Sequence, residues 1–214
     1  MSRVENIDED EEDNENVLSY KVIFLGDTAV GKTSLIFRFC DDRFDEVFTA
    51  TIGIDIKTKK YIYKDKKIEL DIWDSAGQER YKSLAKNSFQ GADGIILVYD
   101  ITDKKTFQNI KIWYKNIKDI IDINKVAIII VGNKSDLPEK EVNKETCEKF
   151  CQQYNLQSIE TSCKNNINIQ ETFNLLIDKM IKIQDELKQQ SKRRNSKIDE
   201  NIFSGKKSSR KKCC

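Results

Sequence analysis

Histidine is missing from all 214 residues. That removes Ser–His–Asp hydrolysis, His-based zinc chemistry and imidazole acid–base steps, so any reaction here works by positioning and charge. Proline occurs once, at Pro138, just past a predicted strand end, and interrupts no element. No apolar run approaches the roughly 18 residues of a spanning helix. The N-terminus is acidic and lacks an apolar secretory stretch, so neither a membrane span nor secretion is expected. The internal cysteines Cys40, Cys147, Cys151 and Cys163 form no Cys-x-x-Cys pair and no disulfide-scaffold density, which fits a reducing cytosol.

Net charge is +1, yet the signs are segregated. Residues 1–16 hold eight carboxylates against Arg3 alone, a net of −7. Residues 188–214 hold ten Lys/Arg against Asp199 and Glu200, a net of +8, and residues 17–187 balance at 26 of each sign. The chain therefore divides into an acidic arm (1–16), one neutral domain (17–187) and a basic tail (188–214). The arm has too little apolar surface to offset ordering entropy and is expected to be disordered. As a calcium loop, its "DEDEED" lacks the Gly turn and spaced Glu that such sites need. The tail carries one aromatic, Phe203, among its charges, so nucleic acid is not the expected partner.

Hydrophobic patterning orders the middle. Val17–Leu25, Gly94–Asp100 and Val126–Gly132 are continuous apolar runs, as in central parallel strands covered on both faces. Gly53–Tyr63 and Ile68–Ile72 alternate with period two around "YKDKK", predicting an antiparallel hairpin at a sheet edge. Ser158–Thr161 is a short last strand. Helices are predicted over Ser34–Cys40, from Phe107 to Ile121, over Asn143–Tyr154 and over Ile169–Leu187, where apolar residues recur at three- and four-residue steps. Alternating strands and helices specify an α/β doubly wound sheet of six strands, mostly parallel with one antiparallel edge strand, flanked by helices; ligands then sit at the strands' carboxyl ends.

Four boxes fall at those ends. Gly26-Asp27-Thr28-Ala29-Val30-Gly31-Lys32-Thr33, followed by Ser34, satisfies G-x4-G-K-[ST] between a strand and a helix. Its backbone N–H groups and the helix terminus attract phosphate, Lys32 adds a point charge, and the Thr33 hydroxyl can ligate Mg²⁺. In "WDSAGQER", Asp74 ends a strand within reach of that cation, Gly77 can offer an N–H to a γ-phosphate, and Gln78 can orient a water. In "GNKSD", Asp136 can accept two N–H bonds from guanine, Asn133 can bond its N7, and Lys134 can lie over the base while bracing the phosphate loop. "TSCK" follows the next strand, with Ser162, Cys163 and Lys164 near the base oxygen and ring. Between Phe44 and Gly53, Thr51 can complete Mg²⁺ coordination and contact the γ-phosphate. A P-loop kinase or ATPase would not need Asp136. A GTP-binding scaffold with negligible turnover is the nearer competitor.

In this order and spacing the boxes resemble the Ras superfamily of small GTPases, and specifically the Rab family, over about residues 18–187. Rab-like segments include "IGIDIK" (Ile52–Lys57), "LDIW" (Leu70–Trp73), "RYKSL" (Arg80–Leu84), "FQGAD" (Phe89–Asp93) and "LVYDIT" (Leu97–Thr102). The resemblance implies a P-loop G domain that binds GTP/GDP with Mg²⁺ and switches between two states. It also implies slow hydrolysis, with Gln78, Lys32 and Thr51 in the catalytic group. Implied partners are effectors, an exchange factor, a GTPase-activating protein, GDP-dissociation inhibitor and prenylation escort machinery; a monomer is expected. Cys213-Cys214 resembles a double prenylation signal rather than C-a-a-X, because Lys211 stands where the Cys would be. The implied location is the cytoplasmic face of Golgi or endosomal membranes. Departures are Ile56 for Phe, Ser88-Phe89 for Tyr-Tyr, Phe48 for Tyr, Ser75 for Thr and Cys163 for Ala. Of the aromatic trio that reads effectors in the family, only Trp73 is unchanged.

Overall fold

In the stretch Ala127–Asn133 every residue is buried, and the same holds for Gly94–Asp100. Only strands covered on both faces bury without alternation. The computed structural model describes residues 17–45, 54–75 and 89–205, with side chains to residue 193. Its strands are β1 (Val17–Gly26), β2 (Ile54–Tyr63), β3 (Lys66–Ser75), β4 (Gly94–Asp100), β5 (Ala127–Asn133) and β6 (Gln157–Glu160). They form one six-stranded sheet in the order β2-β3-β1-β4-β5-β6. β2 pairs antiparallel with β3, and all other neighbours are parallel. The described helices are α1 (Lys32–Asp41), α2 (Lys104–Ile120), α3 (Lys144–Tyr154) and α4 (Ile169–Gly205).

Alternate residues of the central strands feed two cores. Val22, Phe24, Ile96, Val98, Ile129 and Val131 meet α1 and α4 on one face, including Leu35, Phe39 and Phe173. Ile23, Leu25, Ile95, Leu97, Ile128 and Ile130 meet α2 and α3 on the other, including Ile110, Trp113 and Cys147. Each fully buried side chain of this size is worth about 1.5–3 kcal/mol, so the sheet's central strands are the rigid part of the molecule.

Local signals set the ends. Asp103 and Asn143 cap α2 and α3 by accepting from Lys105 N and Thr146 N, each at 2.8 Å. The hairpin turns at Lys64 and Asp65, with φ of 49° and 59°, the paired left-handed geometry of a type I′ turn. Its tip is fastened to α4, since Asp178 accepts from Lys64 Nζ at 2.7 Å and from Tyr63 Oη at 3.0 Å.

Two features depart from the pattern reading. On β2 the isoleucines face outward, with Ile62 73% exposed, because the other face is covered by Lys57, Lys59 and Tyr61 packed on α1. And α4 does not stop at Leu187 but continues to Gly205. Past Leu187 the apolar stripe ends, yet eight of the next seventeen residues are Lys, Arg, Gln or Glu, no proline interrupts them, and a glycine closes the run.

Candidate functional site

Because β1, β3, β4, β5 and β6 are parallel, their carboxyl ends share one edge of the sheet, and the motif residues collect there. β1 ends at Gly26, where an added Cβ would sit 2.2 Å from the Val98 carbonyl oxygen. Ala29 (φ 62°) and Gly31 (φ 97°) are left-handed, a backbone conformation from which anion nests are built. At Gly31 an added Cβ would meet Asn133 Nδ2 at 2.2 Å, so phosphate loop and base box are in contact there. Lys32, buried at the start of α1, folds over the loop and donates to the Gly26 and Asp27 carbonyls at 3.0 Å each. Its ammonium is thereby held against the backbone of the loop.

Thr33 Oγ1 donates to Asp74 Oδ2 at 2.5 Å. α1 carries the first residue and the end of β3 the second, brought together because β3 is β1's parallel neighbour. A hydroxyl and a carboxylate this close, beside a phosphate loop, form a hard-oxygen donor set, and the residues fit Mg²⁺.

Asn133, 2% exposed at the end of β5, joins the two halves of the site. Its Nδ2 donates to the Val30 carbonyl at 3.0 Å, while its Oδ1 accepts from Thr161 Oγ1 at 3.2 Å and from Cys163 Sγ at 3.4 Å. Asn133 therefore braces the phosphate loop. Lys134 pairs with Asp100 Oδ2 at 2.6 Å, because Asp100 ends the adjacent strand β4 directly opposite Asn133. Asp136 Oδ1 accepts from Ser162 Oγ at 2.6 Å, which fixes the carboxylate that would read a base. Burial pushes the Cys163 thiol up to about 12, so it stays a neutral donor.

Of the other expected residues, Thr28 and Ala29 lie exposed at the loop's rim, Ser34 is half-buried in the first turn of α1, and Lys164 is exposed beyond Cys163. Phe44 is half-buried beside Arg38, whose guanidinium stands 5.8 Å from the ring centroid. Thr51, Gly77, Gln78, Cys213 and Cys214 lie outside the described residues. Val30 contributes its carbonyl, since its side chain belongs to the core.

Three supports were not visible in the motifs. Asp27 turns its carboxylate to α2, accepting from Asn109 Nδ2 at 2.5 Å and Trp113 Nε1 at 3.1 Å. Asp100 fixes Lys134. Arg38 of α1 donates to the Cys163 carbonyl at 2.9 Å and holds the base-side loop from below. The nearest sequence signal was periodicity: Trp113 falls on the apolar stripe of α2, which placed it in the core without identifying its N–H partner.

A family model described as the Ras family matches residues 21–182. Among curated relatives, the human Ras-related protein Rab-8B is 45% identical over 155 residues, 72% of this chain and 74% of that protein. The Ras-related protein Rab-13 of Mesocricetus auratus is 44% identical over 158 residues, 73% and 77% of the two chains. The Ras-related protein Rab-8 of Diplobatis ommata is 44% identical over 174 residues, 80% and 82%.

Proposed function

Since this chain belongs to the Rab family of Ras-superfamily small GTPases, it binds guanine nucleotide, hydrolyses GTP and cycles between two states in membrane traffic, and we propose which of its residues do so. The phosphates lie in the loop Asp27–Ser34 with Lys32 against the β- and γ-groups. The base lies between Phe44 and Lys164, read by Asp136 and Asn133, with Ser162 and Cys163 lining the oxygen side. Thr33 and Thr51, with Asp74 behind them, would hold magnesium, which would supply charge neutralisation to the phosphates.

Gln78 orients the water that attacks the γ-phosphorus in line, while Lys32 and the loop amides stabilise the transferring oxygens. Among the described residues no side chain is a strong general base and Arg38 is committed to the Cys163 carbonyl, so an intrinsic rate like that of Ras itself, on the order of 10⁻⁴ s⁻¹, is expected and an activating protein raises it. Thr51 and Gly77 gain contacts only with a γ-phosphate present, which gives effectors something to distinguish. A full switch between populations of 1:99 and 99:1 needs about 5.5 kcal/mol of differential binding.

The observation that carries this assignment is the Asn133 bridge, which makes phosphate loop and base box one buried unit. The effector surface differs from the family's usual one. Ile56 is exposed and Trp73 half-buried under Lys21 at 3.8 Å, whereas Phe89 is 1% exposed and belongs to the core. Effectors are read through Ile56 and Trp73 together with the segments that carry Thr51 and Gly77. An exchange factor, GDP-dissociation inhibitor and prenylation escort complete the partners, and the protein acts as a monomer without nucleic acid.

Among the described residues no helix is long and apolar enough to cross a membrane. We assign attachment at the cytoplasmic face of Golgi or endosomal membranes to prenylated Cys213 and Cys214 together with the basic tail, a two-signal anchor. The test is single-turnover phosphate release from the GTP-loaded protein. It should fall at least tenfold in Gln78→Leu with GTP affinity retained, a loss of about 1.4 kcal/mol of transition-state stabilisation or more. Unchanged release would overturn the role of Gln78. Asp136→Asn should shift preference toward xanthine nucleotide, and no shift would overturn the base assignment.

A further inference from the structure

We propose that the basic extension of α4 is a docking surface for the chain's own acidic arm, residues 1–16, and that the arm competes there with anionic membrane. The proposal goes beyond the nucleotide cycle and does not rest on the residue roles assigned above. It begins with where the arm is rooted. β1 starts at Val17, and Tyr20 of the same strand donates to Gln184 Oε1 of α4 at 3.2 Å. Leu18 packs against the same core cluster as Ile181 and Ile183. The arm therefore enters the fold beside α4 at the point where that helix leaves the sheet.

The helix changes character there. From Lys188 to Ile198 it contains five cations, Lys188, Lys192, Arg193, Arg194 and Lys197, and no carboxylate. Lys188 and Lys192 follow Gln184 at four-residue steps, so they continue the side of the helix that faces the root of β1. Their ammonium groups are exposed and make no ion pair among the described residues. Like charges four apart destabilise a helix, and a polar helix without a packing partner is marginal in water. An anionic partner along this side relieves both costs.

The arm supplies that partner by charge and by reach. Asp8 to Asp13 is a run of six consecutive carboxylates, four to nine residues from Val17. At up to about 3.3 Å per residue these groups reach about 13–30 Å from the root. Lys188 and Lys192 lie about 6 and 12 Å along the axis from Gln184, inside that range. A short tether gives an effective concentration in the millimolar range, so weak individual ion pairs suffice. The same cations attract an anionic lipid surface at about 1 kcal/mol each, so one surface has two exclusive occupants.

The test is carbodiimide cross-linking of the full GDP-loaded chain, mapped by mass spectrometry on an equimolar mixture of unlabelled and ¹⁵N-labelled protein. Cross-links from the Asp8–Asp13 run to Lys188 and Lys192 should form within one chain. They should fall at least fivefold between about 50 mM and about 0.5 M salt, as the screening length drops from roughly 14 to roughly 4 Å. They should fall again when vesicles containing phosphatidylserine are added. Absence of these cross-links, links mainly between differently labelled chains, or links confined to the hairpin residues Lys66 and Lys67, the latter opposite Val17 in the sheet, would each overturn intramolecular docking. Cross-links that persist on vesicle-bound protein would overturn the competition.

Discussion

Asn133→Ala tests the two-sided character of the site most directly. The change removes a donor to the Val30 carbonyl and an acceptor for the Thr161 hydroxyl and Cys163 thiol. Asn133 is 2% exposed, so water does not simply take its place. A buried polar group left without a partner costs about 1–3 kcal/mol, and two strong ones are orphaned, the Val30 carbonyl and the Thr161 hydroxyl. The thiol is a weak donor and adds little. If the small void admits a water that satisfies part of this set, the total settles at about 2–4 kcal/mol. In a domain of this size each kcal/mol displaces the melting temperature by about 2–4 °C, so a fall of roughly 5–15 °C is expected. The assay is calorimetry at two GDP concentrations tenfold apart, since bound nucleotide itself contributes stability by mass action, about 1.4 kcal/mol per decade when saturating. Subtracting RT ln(1 + c/Kd), with c the GDP concentration and Kd measured for each protein, leaves the intrinsic loss, and stopped-flow release of a fluorescent GDP should show dissociation at least tenfold faster. A variant that melts within about 2 °C of the parent and releases GDP at the same rate would refute the claim that Asn133 binds the two halves together.

Gly31→Ala should impose left-handed strain of about 1–2 kcal/mol and push against Asn133 Nδ2. GDP affinity should drop at least tenfold with the far-ultraviolet dichroism unchanged, and retained affinity would contradict the contact. Trp113→Phe keeps the packed ring but deletes the N–H that Asp27 accepts. Titration with fluorescent GDP should show affinity reduced several-fold, a fraction of what a hydrogen bond to a charged group is worth, about 1.5–3 kcal/mol, because Asn109 Nδ2 still holds the Asp27 carboxylate. Cys163, its thiol raised to about 12 by burial, should resist alkylation at pH 8 that modifies cysteines of the urea-unfolded chain. Because the folded value lies above the unfolded one, this group's stabilisation is complete below about pH 8.5 and declines as pH rises toward 12. A Cys163→Ser variant should flatten that alkaline decline in urea titrations; an identical decline would show that another group causes it.

Much of the architecture was legible because the central strands are apolar without interruption. Gly94–Asp100 was read with both bounds as observed, and Val126–Gly132 one residue early at each end. The phosphate loop, Asp74 and the base box were legible because their chemistry depends on local spacing at strand ends. The far half of α4 was not, because beyond Leu187 no apolar stripe announces a helix and propensity alone carries it. Nor were the supports of the site. Trp113 lies 86 residues from Asp27, and Arg38 lies 125 from Cys163. Such pairs are set by which strands are neighbours, not by any local motif. The outward isoleucines of β2 show a further limit, for alternation identifies two faces without saying which is covered.

The fastening of the hairpin tip has a mechanical consequence. Asp178 grips Lys64 and Tyr63 at one end of β2, and ten ladder positions tie that strand to β3 along its length. β2 is therefore clamped at its far end and cannot slide along its axis without losing every one of those pairings. The outer patch formed by Ile56 and Trp73 belongs to this clamped hairpin, so a binder touching that patch alone meets the sheet and not the segments that carry Thr51 and Gly77.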